Sequence, residues 1–409
     1  MDNINKLIEK ALNQVQKDRL VAIASELIQI PIVTVSEGKF AQKAFELLKE
    51  KKIDVERYER SGKKERPNIV SFVNKGEKPL FSFNGHIDTV PIGNRAAWEH
   101  DPYKPYTKNG NLFGRGAIDM KGGCAAIMHT MEILHKLNED IGFKGGVRAD
   151  LVVGEEGDRE HGTVELVEYM KKDQLTIPDF HINAEKSNLK IRNAERGGVG
   201  LNIKFLGHST HTCLSRVEGV NAISNAAKAI ISLIKQQPDK FDPSVGYPVF
   251  SINRILAESS LSGNQVPSEC SIFIDYRQTP SETKEEVIQE FIEKLDKLSE
   301  NDPDFKYEIG EIRYIPSLFM DPESDLIKVL KKNTRLVTGK KAEFMVDWSG
   351  GTEQRSYYNL GCQTVGFGPI GGHAHGPNEW VDINSLVLST KVYLATTLEL
   401  LNHKQRSIS

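Results

Sequence analysis

Leu7, Ile8, Leu12, Val15, Leu20, Ile23, Leu27 and Ile28 recur near helical spacing, so the stretch from Lys6 to about Lys51 is expected to be helical. From Asp54 to Val73 apolar and polar residues alternate, which suggests strands. Four short apolar runs follow, and each ends in residues that bind cations or move protons. Leu80-Phe81-Ser82-Phe83-Asn84-Gly85 runs into His86-Ile87-Asp88, and Ala149-Asp150-Leu151-Val152-Val153-Gly154 into Glu155-Glu156. Pro178-Asp179-Phe180-His181-Ile182-Asn183-Ala184 runs into Glu185, and Gln363-Thr364-Val365-Gly366-Phe367-Gly368 into a Gly-rich loop with His373 and His375. After the first run, a Pro- and Tyr-rich loop from Pro91 to Asn111 leads through Gly114-Arg115-Gly116-Ala117-Ile118-Asp119-Met120-Lys121-Gly122-Gly123 into a helix ending near Leu137. Strands alternating with helices predict an α/β fold with a mostly parallel sheet. Ligands gather at the carboxyl ends of strands in such sheets. Four sets of His, Asp and Glu delivered to one edge would make a metal site, and a metal beside a free carboxylate suits hydrolysis.

The pattern changes around Glu195-Arg196-Gly197-Gly198. Val199 to Leu206 reads as a strand, Gly219 to Ile234 as a helix, and Val249 to Ala257 and Glu269 to Tyr276 as strands. Ser281 to Leu298 reads as a helix with Ser281 as its N-cap, and Phe305 to Arg313 alternates again. The order β-α-β-β-α-β is a ferredoxin-like α+β unit, complete in itself. Residues 196–313 are therefore expected to be an inserted domain, with 1–195 and 314–409 forming a discontinuous catalytic domain. Asp325 to Val337 and Ile383 to Leu401 are expected to be helices of that domain.

At 409 residues the chain is long for one core, which agrees with two domains. A net charge of −3 gives no pull toward nucleic acid or anionic membranes. No apolar run reaches the length that spans a bilayer, and the start Met1-Asp2-Asn3-Ile4-Asn5-Lys6 lacks a basic and apolar leader. Cys124, Cys213, Cys270 and Cys362 show no close pairing, so free thiols in a reducing cytoplasm are expected. Neither a phosphate-binding loop nor a dinucleotide fingerprint is present.

Each candidate has a plainer alternative. His86 and Asp88 point to the same side of a strand, and Asp88 is placed to fix the tautomer of a metal-bound imidazole; a surface turn is the alternative. Asp119 sits among glycines entering a helix, where it could equally serve as an N-cap. Adjacent carboxylates such as Glu155 and Glu156 repel, which one metal ligand beside one proton acceptor would explain and a solvated turn would also satisfy. Glu185 could be a strand-end acid facing water, and His375 competes with His373.

Taken together, Gly85-His86-Ile87-Asp88-Thr89-Val90-Pro91, Gly114-Arg115-Gly116-Ala117-Ile118-Asp119-Met120-Lys121-Gly122, Glu155-Glu156, Ala184-Glu185-Lys186-Ser187 and His375-Gly376-Pro377-Asn378-Glu379 resemble the M20 metallopeptidase family, in order and over nearly the whole chain. That group includes acetylornithine deacetylase, succinyl-diaminopimelate desuccinylase, aminoacylase and glutamate carboxypeptidase. The resemblance implies two Zn2+ ions, with Co2+ or Mn2+ as substitutes. His86, Asp119 and Glu185 would hold one and Asp119, Glu156 and His375 the other, with Asp119 bridging. It also implies a cis peptide at Asp119–Met120. Glu155 would be the general base.

The segment Gly207-His208-Ser209-Thr210-His211 resembles the start of the family's dimerisation or lid domain. That makes His211, ahead of His208, the residue expected to stabilise the oxyanion. Asn264-Gln265-Val266-Pro267 and Asp275-Tyr276-Arg277 resemble segments that hold the substrate carboxylate, for which the planar fork of Arg277 is suited; a strand salt bridge is its alternative. The loop Ser349-Gly350-Gly351-Thr352-Glu353 is expected to line the substrate end, with Thr352 as a contact, although the family often has Asp or Ser in place of Glu353.

The implied function is hydrolysis of an amide bond in a small carboxylate-bearing substrate, an N-acyl amino acid of the deacetylase or desuccinylase type, by a cytoplasmic homodimer joined through the inserted domain. Dipeptidase or carboxypeptidase action at the same site is the alternative within the class. A metal-binding but inactive protein is the alternative outside it.

Overall fold

A computed structural model describes residues 2–31, 37–59, 65–157, 161–257, 263–346, 348 and 350–402. Ser349, expected at the substrate end, lies outside these residues. The chain divides into two compact units. One comprises Met1–Asn193, Met320–Met345 and Thr352–Ser409; the other comprises Ala194–Phe319 and Val346–Gly351.

The first unit is built on a six-stranded sheet in the spatial order Asp54–Tyr58, Asn68–Val73, Gly146–Val152, Leu80–His86, Phe180–Asn183 and Gln363–Gly366. The last four run parallel, and the first two close the edge antiparallel. Every residue of Leu80–His86 and of Gly146–Val152 is buried, as a parallel sheet covered on both faces requires. The period of two sorts these residues by chemistry. Phe81, Phe83, Val147, Ala149 and Leu151 enter the main apolar core with the helices Lys17–Ile28, Gly122–Asp140 and Ile383–Asn402. Burying one such aromatic or aliphatic side chain contributes about 1.5–3 kcal/mol.

The alternate residues Ser82, Asn84, Arg148, Asp150, His181 and Asn183 are equally buried but polar. They bond to one another and to Tyr357 and Arg192. Arg148 Nε and Nη2 donate to Asp150 at 3.1 and 2.9 Å, and Tyr357 Oη donates to the same carboxylate at 2.6 Å. Ser82 Oγ lies 2.8 Å from His181 Nδ1, and the His181 ring stacks on Tyr357 with centroids 3.6 Å apart. Asn183 Nδ2 donates to Asn84 Oδ1 at 2.9 Å, while Arg192 Nη2 donates to Asn183 Oδ1 at 2.6 Å. Buried polar groups without such partners would cost far more than these bonds return.

A second, smaller sheet matters for the site. Tyr106–Lys108, Asn111–Phe113, Trp380–Asp382 and Gly371–Gly372 pair antiparallel, with Phe113 opposite Trp380 and Gly372 also opposite Trp380. This places the chain entering the Asp119 loop beside the hairpin that carries His375.

The second unit has the order strand Gly198–Leu206, helix Ala222–Ile234, strands Val249–Ala257 and Glu269–Arg277, helix Lys284–Asn301 and strand Lys306–Ile315. Numbered within the unit, its antiparallel strands lie 2-3-1-4 across the sheet, the ferredoxin-like arrangement. Val199, Leu201, Ile203, Phe205, Ile272, Ile274 and Phe291 form its separate core. The Lys284–Asn301 helix begins two residues later than the Ser281 cap implies. Thr283 is the N-cap, in a reciprocal capping box with Glu286, and Ser281 donates its backbone N–H to Asp242 instead.

Candidate metal centre

The four parallel strands end on one edge of the sheet, and each end leads to candidate ligands. His86 is the last residue of its strand. Its Nδ1 lies 3.0 Å from the backbone oxygen of Asp88, so this nitrogen carries a proton and Nε2 is the atom turned toward the carboxylates. Nε2 faces Asp119 Oδ1 at 3.0 Å and Glu185 Oε1 at 3.3 Å. The Asp88 carboxylate is farther from Nδ1, at 3.7 Å, and has other work: it accepts the backbone N–H groups of Glu155 at 3.1 Å and Glu156 at 2.9 Å. Asp88 thus holds His86 with its main chain and the Glu155–Glu156 turn with its side chain.

His375 Nε2 lies 2.9 Å from Glu156 Oε1 and 3.2 Å from Asp119 Oδ2. Among the described residues, His86–Asp119–Glu185, Asp119–Glu156–His375 and His86–Glu155–Glu156 each bring three ligand atoms within 4.8 Å of one another. Asp119 offers one oxygen to each of the first two groups. The Asp119–Met120 peptide is cis. The preceding Gly116 has φ +80°, a conformation that favours glycine, and a Cβ there would lie 2.7 Å from a Thr89 methyl. Gly368 keeps the loop after the fourth strand against Glu185, where a Cβ would lie 2.2 Å from the Glu185 carbonyl oxygen.

The electrostatics are those of a site that takes positive charge. Hydrogen bonding to Asp119 pushes the His375 imidazole up to about 9, aided by the charge of Glu156. Burial opposes the charged form of His86, yet Asp119 and Glu185 carry it well above its ordinary value. Burial likewise opposes ionisation of Asp119, but hydrogen bonds with His375 and His86 hold it below the usual carboxylate range. Glu156 is pushed up to about 7, by burial first and then by the charges of Asp119 and Glu155. Two imidazoles and three carboxylates, with Asp119 common to two of the groups, form a mixed nitrogen and oxygen donor set whose chemistry fits divalent transition metals.

Two features of this edge escape a reading of the sequence. Glu379 is fully buried and accepts four hydrogen bonds, from Arg115 Nη1 and from the backbone N–H groups of Gly116, Ile118 and Asp119. Its sequence signal is its place at the end of His375-Gly376-Pro377-Asn378-Glu379, which says nothing of its burial or of Arg115. Glu353 is half-buried, with Oε2 accepting from Asn183 Nδ2 at 3.3 Å. Burial, followed by the charges of Glu155 and Glu185, pushes its carboxyl up to about 8. Thr352 Oγ1 accepts from Arg192 Nη2 at 3.2 Å and from Gln354 N at 3.3 Å at the start of the Gln354–Tyr358 helix.

The other candidates lie in the second unit. His211 is exposed and its Nδ1 accepts the Cys213 N–H at 3.2 Å, which leaves the ring proton on Nε2. His208 pairs with Val220 through its backbone. The Asn264 carbonyl accepts from Thr212 N at 2.9 Å. Arg277, half-exposed at the end of its strand, pairs with Asp275 at 2.9 Å. The structure brings His86, Asp119, Glu155, Glu156, Glu185 and His375 together, and sets Asn264, Arg277 and His211 in the other unit.

Residues 82–399 match peptidase family M20/M25/M40. The chain belongs to this family. It is therefore an enzyme, a hydrolase of the metal-dependent M20 type. It is 30% identical over 329 residues to succinyl-diaminopimelate desuccinylase of Nitrosococcus oceani, covering 79% of this chain and 84% of that one. Among solved structures it shares the fold of aminopeptidase PepT from Bacillus cereus, with a TM-score of 0.74 at 20% identity over 94% of this chain and 99% of that one. A dinuclear metal-binding M20 peptidase from Bacillus subtilis gives a TM-score of 0.69 at 16% identity, covering 94% and 98%. Among the described residues, no helix of this M20 hydrolase is long and apolar enough to cross a membrane.

Proposed function

We propose that this M20 hydrolase cleaves the amide bond of an N-acyl amino acid, with His86, Asp119 and Glu185 holding one Zn2+ and Asp119, Glu156 and His375 a second. Co2+ or Mn2+ would serve the same donors. The observation behind this reading is the pair of three-residue groups that share Asp119, with Glu155 beside them and outside both. Bound there, zinc supplies Lewis acidity toward the scissile carbonyl and the attacking water. Glu155, fixed through its backbone by Asp88, takes the water proton and delivers it to the leaving nitrogen. His211, with its proton on Nε2, donates to the developing oxyanion. Arg277 leaves Asp275 to bind the substrate carboxylate through its planar fork, and Asn264 and Thr352 complete the contacts.

The acyl preference follows the desuccinylase similarity, which covers most of both chains. The inserted unit, residues 196–313 by sequence, joins two copies in this reading. Ile231 and Ile234 on its Ala222–Ile234 helix and Val249, Ile255 and Leu256 on its edge strand are exposed apolar residues suited to such a contact. Buried free thiols at Cys124, Cys270 and Cys362 suit the cytoplasm.

Metal-stripped protein reloaded with zinc, cobalt or manganese should hydrolyse N-succinyl or N-acetyl amino acids in preference to dipeptides and C-terminal glutamate peptides. Glu155→Gln should keep its metal and lose about 10²–10⁴-fold in kcat. Hydrolysis of peptides alone would overturn the acyl preference. Bound metal with no turnover on any member of the panel would overturn the catalytic reading.

A further inference from the structure

Glu379 closes the hairpin that carries His375, and its burial has a structural cost with no return in the chemistry above. One carboxylate oxygen accepts from Arg115 Nη1 at 2.6 Å and Gly116 N at 2.8 Å; the other accepts from Ile118 N and Asp119 N, both at 3.0 Å. Arg115, also fully buried, turns back toward the same hairpin. Its Nη2 donates to the backbone oxygens of His375 at 3.4 Å and Pro91 at 3.3 Å, and the guanidinium lies 5.0 Å from the Trp98 ring. The backbones of Asp119 and His375 therefore hang from one ion pair. Neither Glu379 nor Arg115 contributes an atom to the three ligand groups.

A buried ion pair is weak support for stability, because well-packed apolar residues of similar volume often do as well or better. Apolar residues cannot, however, aim four N–H groups at one point. Here the aimed groups run through the loop up to Asp119 itself. The small sheet alone does not reach Asp119: its register ends with Phe113 opposite Trp380, and the further bond from Gly114 N to Glu379 O at 2.9 Å still falls five residues short.

We infer that Glu379 and Arg115 are positioning residues that set the distance between Asp119 and His375 and thereby govern occupation of the second metal position. This rests on the two-metal reading. Asp119 and His375 are two of the three ligands of that position. At the first position only Asp119 hangs from the pair, while His86 ends a central strand and Glu185 closely follows another. Loosening the pair should therefore weaken the second position selectively.

The test is a calorimetric titration of metal-stripped full-length protein with Zn2+, with Co2+ absorption spectra recorded in parallel. The variants are Glu379→Gln and Arg115→Lys. The control is Glu37→Gln, which disrupts a different buried ion pair, to Arg66 at 2.8 Å. Wild type and control should each bind two ions with the same affinities. Both site variants should keep the first step and weaken the second about 10–100-fold, the usual effect of losing a partner that orients a metal ligand. The spectrum of the second Co2+ should change and excess metal should restore turnover. If Glu379→Gln does not fold, Arg115→Lys, which keeps the charge, decides alone. An unchanged second step, or two steps weakened by one common factor, would overturn the inference. A wild-type protein that binds a single ion would overturn the two-metal reading and this inference with it; two ions in wild type with unaltered variants would overturn the inference alone.

Discussion

The two units treat charge differently. The first encloses His86, Asp88, Arg115, Lys121, Arg148, Asp150, Arg192 and Glu379 at 1% exposure or less, each with identified neighbours. The second leaves most of its ion pairs in solvent, among them Arg277–Asp275, Lys204–Glu269 and Arg313–Glu311. Enclosed charges are coupled, because removing one strands its partner in a medium that cannot resolvate it. Exposed pairs are worth about 0–1 kcal/mol and can be exchanged one at a time. Chemistry built on the first arrangement resists variation, and recognition built on the second permits it. A family that keeps one reaction and changes its substrates needs both.

That contrast can be broken by experiment. The largest effect is expected at Asp119, the residue common to both proposed ligand sets. Asp119→Ala should reduce bound metal to less than one ion per chain and activity to background, as read by elemental analysis and turnover. Two ions retained in that variant would remove the bridging role.

In the second unit His211→Ala should lower kcat about 10²–10³-fold, the scale of a lost oxyanion donor, while metal content and thermal unfolding stay at wild-type values. A fall in metal content would show that the units are not separable in function. Asp88→Asn tests a subtler coupling. The amide can accept only one of the two N–H groups of Glu155 and Glu156, so activity should drop about 10–100-fold with both metals retained. Loss of the metal bound by His86 would instead mean that the Asp88 side chain, at 3.7 Å, acts on the imidazole.

The smallest effect is one of stability. Lys121 is enclosed, with Nζ donating to Ile30 O at 3.0 Å, and burial lowers its pKa to about 7 from an ordinary 10.5. The unfolded chain keeps this proton up to about pH 10.5 while the folded chain releases it near 7, so the group adds stability as pH rises across that window. Lys121→Met should remove a slope of up to about 1.4 kcal/mol per pH unit. Urea midpoints at several pH values would show it; parallel curves for the two proteins would refute it.

Much of this was visible in the sequence, and for identifiable reasons. Strand ends followed by His, Asp or Glu mark the sheet edge because both the period of the strand and the position of the acid are local. The β-α-β-β-α-β order is local in the same sense. What stayed hidden depends on distant partners. Arg115 and Glu379 stand far apart in the chain, and nothing near either residue announces the other. The runs read as apolar prove to be half polar: Ser82, Asn84, Asp150 and His181 are interior because other strands and Tyr357 satisfy them. Asp88 was legible as a support for the site but not in its division of labour, since periodicity places a side chain and says nothing of a backbone carbonyl. The cap at Thr283 rather than Ser281 turned on Glu286, whose reciprocal bond marks the true helix start.

The interruption of the first unit bears on how the protein is made. His86, Asp119, Glu156 and Glu185 precede the second unit in the chain and His375 follows it. During synthesis the ribosome must complete the whole intervening unit before the last of these residues exists. The fourth parallel strand, Gln363–Gly366, also follows the second unit, and the Ile383–Asn402 helix that covers the core comes after His375. A chain stopped after the second unit would thus lack His375 and hold no finished reaction centre. Hydrolytic capability would then wait on residues that follow the second unit, a safeguard written into chain order alone.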